Sequence, residues 1–166
     1  MDSTQEQHER AVADAFVDWL NHQNGTGYIY DRRGADPPDL VYRCGDHELH
    51  LEITAAYYDA ANATMLWQDA RAVPGAPDMW SSKSPDQKLV GSVNSALAKK
   101  CAKPYPPGCV LLVALYPDLT SAEELADLTP EISVPADHSF AGIYVGGMFP
   151  VSSHGSPGGY HCWKLV

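Results

Sequence analysis

Apolar side chains recur at helical spacing near the start of the chain. Within residues 3–21 they fall three or four positions apart, as they do on one face of an amphipathic helix. The stripe consists of Val12, Phe16, Trp19 and Leu20. Ser3 followed by Glu6 forms a capping-box pattern, so we expect a first helix that begins at residue 3.

A period of two replaces this pattern in residues 47–54. Apolar and polar side chains alternate there, with Leu49, Leu51 and Ile53 on one face and His50, Glu52 and Thr54 on the other. The β-prone residues 40–42 and the turn pair Gly45-Asp46 come directly before this segment. The pattern predicts a β-hairpin whose second strand points Glu52 away from its apolar face.

Strands and helices continue to alternate through the rest of the chain. A short strand is predicted at 28–30, a helix at 84–103 and a short capped helix at 121–127, with further strands at 140–146 and 161–166. Ser84 and Gln87 form a second capping-box pattern around Pro85. The unbroken apolar run at 109–116 is typical of a central strand covered on both faces. Together these elements predict a single α/β domain.

An insert at residues 55–80 follows the hairpin directly. Its first part, to about residue 72, is predicted to be helical, and its second part is a loop rich in Pro and Gly. Its aromatic side chains could pack a core, stack on a base or contact a partner; they are Tyr57, Tyr58, Trp67 and Trp80. Inserts beside a site often form its binding loops.

Charge and hydropathy narrow the functional classes. The net charge is −10 and the pI about 4.9, which argues against a broad basic surface for nucleic acid and favours docking onto a basic protein partner. No apolar run is long enough to span a membrane. The polar, acidic N-terminus lacks the regions of a signal peptide, so we expect a cytoplasmic protein; its oligomeric state stays open.

The four cysteines, Cys44, Cys101, Cys109 and Cys162, show no CxxC spacing. We interpret them as reduced thiols, mostly buried. A zinc site that combines them with His47, His50, His154 and His161 is an alternative without a recognisable ligand spacing.

Two carboxylates stand out in the hairpin. Asp39 precedes the first strand and Glu52 lies on the second, so pairing of the strands should bring them to the same end, about 4–6 Å apart if they share an ion. Two like charges held that close repel each other unless a positive group lies between them, and a hard divalent cation is a common solution.

Pro38-Asp39 and Glu52-Ile53-Thr54 resemble the motif of the PD-(D/E)XK nuclease superfamily, and the element order resembles its core. The resemblance implies a restriction-endonuclease-like αβββαβ core over about residues 3–116, with a mixed sheet flanked by helices and a C-terminal extension over 117–166. It further implies phosphodiester hydrolysis of nucleic acid with Mg²⁺ or Mn²⁺. Asp39, Glu52 and the backbone carbonyl of Ile53 would hold the cation.

Thr54 stands where the superfamily has a lysine. A lysine from the predicted helix, Lys88 in its first turn or Lys100 near its apolar face, would have to replace that charge, or turnover would be slow or absent. The alternative function is a non-catalytic acidic binding module, an immunity or regulatory protein on the same fold. The net charge and the missing lysine favour that alternative.

Three further side chains keep more than one interpretation. Glu9 lies on the apolar stripe of the first helix, where it either favours the helix dipole in solvent or points into the site, as an acidic residue of the first helix often does in this superfamily. Arg32 and Arg33 either solvate a loop, hold a phosphate or balance the carboxylates.

Overall fold

A computed structural model of the protein describes residues 3–58, 66, 84–117, 119–152, 155 and 157–166. The described part forms one small α/β domain, a six-stranded sheet with three α-helices. In chain order the elements are α1 (Thr4–Asn24), β1 (Ile29–Arg33), β2 (Leu40–Cys44), β3 (His47–Ala56), α2 (Pro85–Cys101), β4 (Cys109–Leu115), α3 (Ala122–Leu128), a short 3₁₀ helix (Thr129–Glu131), β5 (Gly142–Phe149) and β6 (Gly159–Lys164).

The sheet is mixed, and its strands lie side by side in chain order. The pairs β1–β2, β2–β3 and β5–β6 are antiparallel, while β3–β4 and β4–β5 are parallel. Parallel neighbours need a long crossover, and the crossovers here contain α2 and α3. None of the helices in the described part is long and apolar enough to cross a membrane.

Two apolar layers cover the two faces of the sheet. The α1 layer packs Phe16 and Leu20 against Leu40 and Leu51, and Leu112 of β4 joins it. The α2 layer contains Leu89, Val93, Leu97, Leu111 and Val113. Because β4 contributes to both layers, its run of apolar residues without a period is explained.

Strand β3 is longer than its hairpin partner. The last β2–β3 pair is Leu40 with Leu51, whereas β3 continues to Ala56 beside β4. The β3 backbone beyond Leu51 therefore has a strand on one side and an open edge on the other. At this edge the side chain of Asp39 bonds the backbone of Ile53, the residue after Glu52.

Most predicted elements are present, with shifted boundaries. The hairpin and its Gly45-Asp46 turn are as predicted, but α1 runs three residues further, to Asn24, because Gly25 in the left-handed conformation ends it. Ala55 and Ala56 belong to β3 and not to the predicted helix, since they pair with β4. Trp67 and Trp80 lie outside the described residues.

One predicted helix cap was wrong. Ser3 forms a complete capping box with Glu6, and Ser121 does the same with Glu124. Ser84 instead has φ 53° and its side chain makes no cap hydrogen bond, although Pro85 occupies the first turn of α2 as expected. The left-handed backbone at Ser84 directs its hydroxyl away from the helix end.

We predict that the two serines differ in their contribution to stability. Ser3→Ala should lower the free energy of unfolding by about 1 kcal/mol because it removes a side-chain cap. Ser84→Ala should change it by less than about 0.5 kcal/mol. Urea unfolding of both variants checks this, and equal losses would contradict the difference in their caps.

Candidate functional site

The side chain of Asp39 bonds the backbone of β3 at its open edge, where a neighbouring strand would otherwise pair. It lies directly before β2, and its Oδ2 accepts a hydrogen bond of 2.8 Å from the backbone N–H of Ile53. The segment before it folds closely against this position, since the N–H of Gly34 donates to the Asp39 carbonyl at 2.9 Å. A Cβ at Gly34 would lie 1.8 Å from the carbonyl oxygen of Pro38, so this approach requires glycine.

Glu52 is almost fully buried, with 4% of its surface exposed. Its Oε1 accepts a 2.6 Å hydrogen bond from Lys100 Nζ and a 3.3 Å bond from the hydroxyl of Tyr105. Its Oε2 is buried and has no hydrogen-bond partner among the residues that the structure describes. A buried carboxylate oxygen without a partner is costly, so this atom marks an incomplete site.

The charges of this edge act on one another. Burial raises the pKa of Asp39 to about 6, and the charges of Glu52 and Glu9 add to the rise, while the Ile53 N–H and Lys100 oppose it. Burial acts to lower the pKa of Lys100, but its bond to Glu52 outweighs this and the pKa rises. Lys100 is therefore an ammonium at neutral pH. The protonation of Asp39 therefore changes near pH 6.

The thiol of Cys109, next to these carboxylates, is not a thiolate at neutral pH. Burial, with the charges of Glu52 and Asp39, raises the pKa of Cys109 to about 11. All four cysteines are free, and Cys101 is buried like Cys109. No group of three or more His, Cys, Asp or Glu side chains in the described part is arranged to hold a metal, which leaves no zinc site there; His154 lies outside the described residues.

A cavity of about 290 Å³ lies beside this edge. Its lining includes Glu9 and His8 of α1, Ile53 and Thr54 of β3, and Tyr116 after β4. His8 Nε2 and the Tyr116 hydroxyl are 2.5 Å apart. Asp39, Glu52 and Lys100 do not line this cavity. The side chain of Glu52 is buried outside the lining of this cavity.

Glu9 faces the hairpin, as its place on the apolar stripe predicts. Its side chain is 23% exposed, and its oxygens accept hydrogen bonds from Gln5 Nε2 at 3.0 Å and Arg33 Nη1 at 3.1 Å. The helix therefore carries this carboxylate to the rim of the cavity. Its partner there is an arginine of β1.

The structure distinguishes the two candidate lysines. Lys100 contacts Glu52, whereas Lys88 is exposed in the first turn of α2. Twelve residues at 1.5 Å each separate them by about 18 Å along the helix axis. The backbone carbonyl of Ile53 points to the same side as its N–H, toward Asp39, because both groups of one strand residue face the same neighbour. The distance between the Asp39 and Glu52 carboxylates stays a prediction.

Tyr105 was missed by sequence reasoning. It follows α2 in the segment Pro104-Tyr105-Pro106, and its ring packs on Phe140 with centroids 4.4 Å apart. The sequence offered one signal for its role, its position five residues after Lys100. Lys100 and Tyr105 both bond Oε1 of Glu52, which leaves Oε2 for a ligand.

No protein-family model matches the chain, and comparisons with curated proteins and with solved structures give no match either.

We predict that Lys100→Met destabilises the protein by about 3 kcal/mol, because it leaves the buried Glu52 charge uncompensated. Lys99→Met, one residue earlier and exposed, is the matched control and should stay within about 0.5 kcal/mol of wild type. Urea unfolding measures both. Adding Glu52→Gln to Lys100→Met should recover part of the loss, and no recovery would mean that the two side chains are not coupled.

We also predict a pH-dependent effect of Asp39→Asn on the metal-free protein. An unfolded aspartate ionises near pH 4, whereas Asp39 does so at about 6. Between these pH values the folded protein keeps a proton on Asp39 that the unfolded chain has lost. The free energy of unfolding therefore falls as the pH rises from about 4 to about 6. Asparagine removes the charge but keeps an acceptor for the Ile53 N–H.

The gain from Asp39→Asn should therefore be absent below about pH 4 and reach about 1–2 kcal/mol above pH 6, after allowance for solvent screening. Thermal unfolding in EDTA across this range measures it. A gain of equal size at every pH would show that the Asp39 charge is not its cause.

Proposed function

We propose that this protein is a Mg²⁺- or Mn²⁺-dependent nuclease of the PD-(D/E)XK type, which hydrolyses phosphodiester bonds at the open edge of β3. The observation that carries the proposal is the state of Glu52: one oxygen is held by Lys100 and Tyr105, and the other is buried without a partner in the described part. Asp39 bonds the next residue of the same strand. A carboxylate pair with a lysine amine is the set that this chemistry needs.

The order of the elements supports this assignment. Among the described residues the elements run α1, β1, β2, β3, α2 and β4, the αβββαβ order that the resemblance implies, and these four strands are neighbours in chain order. Asp39 directly precedes β2 and Glu52 lies on β3, and the motif of the superfamily expects its two carboxylates at the second and third strands. β5 and β6 extend the sheet beyond this core.

The donors at the edge fit a hard divalent cation. Glu52 Oε2, the second oxygen of Asp39 and the carbonyl of Ile53 are all oxygen atoms, the ligand type that Mg²⁺ prefers, and Mg²⁺ commonly uses one or two carboxylates and keeps several waters. When bound, such a cation supplies Lewis acidity, which activates a water molecule and neutralises charge on the phosphate. The charge of the cation would also offset the repulsion that helps to raise the pKa of Asp39.

Lys100 supplies the positive charge that Thr54 lacks. It is an ammonium at neutral pH, so it acts by attracting negative charge and not by accepting a proton. Hydrolysis of a phosphodiester concentrates negative charge on the phosphate in the transition state, and a preorganised charge aimed at it contributes about 10²–10³ in rate. Tyr105 keeps Glu52 in place when Lys100 turns toward the substrate.

Glu9 acts at a distance from the reacting atoms. Its two oxygens are occupied by Gln5 and Arg33, and it lines the cavity, whereas Asp39 and Glu52 do not. We propose that it shapes the charge of the cavity and is not a ligand of the cation. Its negative charge contributes to the raised pKa of Asp39.

We predict slow, cation-dependent cleavage of single- or double-stranded DNA or RNA by the purified protein. Glu52→Gln and Lys100→Gln should each reduce the rate by about 10² or more. Lys99→Gln is the exposed control, and Lys88→Ala tests the other lysine; both should retain the wild-type rate. All five proteins are assayed with Mn²⁺ and with Mg²⁺ on each substrate.

A thermal-shift measurement separates cation binding from turnover. Mn²⁺ should raise the melting temperature of wild type more than that of Glu52→Gln, because a ligand of the folded state stabilises it by mass action. Cleavage that survives Glu52→Gln would come from a contaminating nuclease. Absence of cleavage on every substrate would favour the acidic binding module, in line with the net charge of −10.

A further inference from the structure

Three arginines lie on β1 and β2, and two of them each bond two carboxylates. Arg32 donates to both oxygens of Glu48, at 3.0 and 3.2 Å, and also bonds Asp31. Arg43 donates to Glu48 at 2.8 Å and to Asp31 at 3.4 Å. These side chains form an ion network on the exposed outer face of the hairpin.

Arg33 differs from both of them. Within the described part its side chain makes one hydrogen bond, from Nη1 to Glu9 at 3.1 Å, and 43% of the side chain is exposed. A guanidinium has five N–H donors in a planar fork, so most of its donors still face solvent. Arg33 is therefore a cation at the rim of the cavity with unused hydrogen-bonding capacity.

The position of Arg33 links it to the candidate site. It pairs with Leu40, the neighbour of Asp39, and the next residue, Gly34, donates its N–H to the Asp39 carbonyl. Paired residues point to the same face of a sheet, and Leu40 packs in the α1 layer. Arg33 therefore lies on the α1 side of the Asp39 edge, whereas Lys100 approaches Glu52 from the α2 side.

The geometry points to Arg33 as the residue that binds a phosphate of the nucleic-acid substrate beside the carboxylate edge. This inference rests on the proposed nuclease function and deepens it. Guanidinium and phosphate match in a bidentate arrangement, and a phosphate can use the donors that Glu9 leaves open. Because the protein as a whole repels a polyanion, a local cation next to the reacting groups has a large share in substrate binding.

Glu9 competes with the substrate phosphate for Arg33 and so weakens this contact. In the free protein it holds one donor of Arg33 and adds a negative charge to the rim of the cavity. Neutralising it should release that donor and weaken the repulsion of the substrate. Glu9→Gln is therefore expected to tighten binding, opposite to the effect of a change at Arg33.

The test measures binding of a short fluorescein-labelled single-stranded DNA by anisotropy, with Ca²⁺ in place of Mg²⁺, over roughly 50 to 200 mM salt. Arg33→Gln should weaken binding about tenfold at low salt and reduce the slope of log Kd against log salt by about 0.7, the value for one contact to a single strand. Arg32→Gln, one residue away on the opposite face, is the matched control and should leave both quantities unchanged.

Arg33→Lys keeps the positive charge but loses the planar donor geometry of the guanidinium. It should therefore show the wild-type salt slope but only part of the wild-type affinity. This variant, with melting curves for all proteins, separates a lost contact from a misfolded chain. An unchanged salt slope in Arg33→Gln, or equal weakening by Arg32→Gln, would overturn the role of Arg33.

The outcomes for Arg33 and for the nuclease are distinct. Cation-dependent cleavage together with DNA binding that ignores Arg33 overturns only the role of Arg33. Binding that depends on Arg33 without any cleavage supports the phosphate contact and overturns the nuclease. A wild-type protein that binds neither this DNA nor the matching RNA overturns the phosphate contact itself.

Discussion

A buried carboxylate must be compensated, and the pairing of Glu52 with Lys100 is the constraint on which the rest of this site depends. Glu52 lies on β3, which has β4 beside it and α2 above it, so its charge is removed from water. Lys100 reaches it from the last turn of α2 at 2.6 Å. One turn of helix is about 5.4 Å, so a shift of α2 by that amount would break the pair. The packing of the apolar layer under α2 thus fixes the position of the Lys100 ammonium.

The second constraint is the different length of the two hairpin strands. β2 begins at Leu40, and the side chain of Asp39 bonds the Ile53 N–H that a longer β2 would have paired. The Asp39 carboxylate therefore lies at the open strand edge and bonds the residue that follows Glu52. A longer β2 would pair Ile53 with backbone and leave Asp39 without this role. The end of a strand is therefore as much a part of the site as its side chains.

The sequence was informative where local patterns decide the structure. Alternation in β3 placed Glu52 opposite the apolar face, and the stripe of α1 placed Glu9 toward the hairpin, because both follow from the periods of strand and helix. The choice between Lys88 and Lys100 could not be made in this way. Both lie on one helix, and only the docking of α2 on the sheet decides which of them reaches Glu52.

Other features depend on contacts between segments far apart in the chain. Pairing with β2 extends β1 beyond the predicted strand at 28–30, so Arg32 and Arg33 lie on a strand and not in a loop, and they point to opposite faces. Tyr105 gave no motif, since its role comes from the turn after α2. The cap at Ser84 failed because a left-handed backbone overrides a favourable residue type. Each of these outcomes needs tertiary geometry that periodicity does not contain.

The location of the lysine on a helix has a consequence of its own. A lysine on β3 would be fixed relative to Glu52 by the strand itself, as two residues of one strand are. Lys100 is instead fixed by the packing of α2, through Leu89, Val93 and Leu97. Its position therefore depends on the stability of that layer, and a cavity made in the α2 layer would disturb the charge at Glu52 without touching either side chain. The position of the Lys100 charge and the packing of the hydrophobic core are therefore coupled through α2.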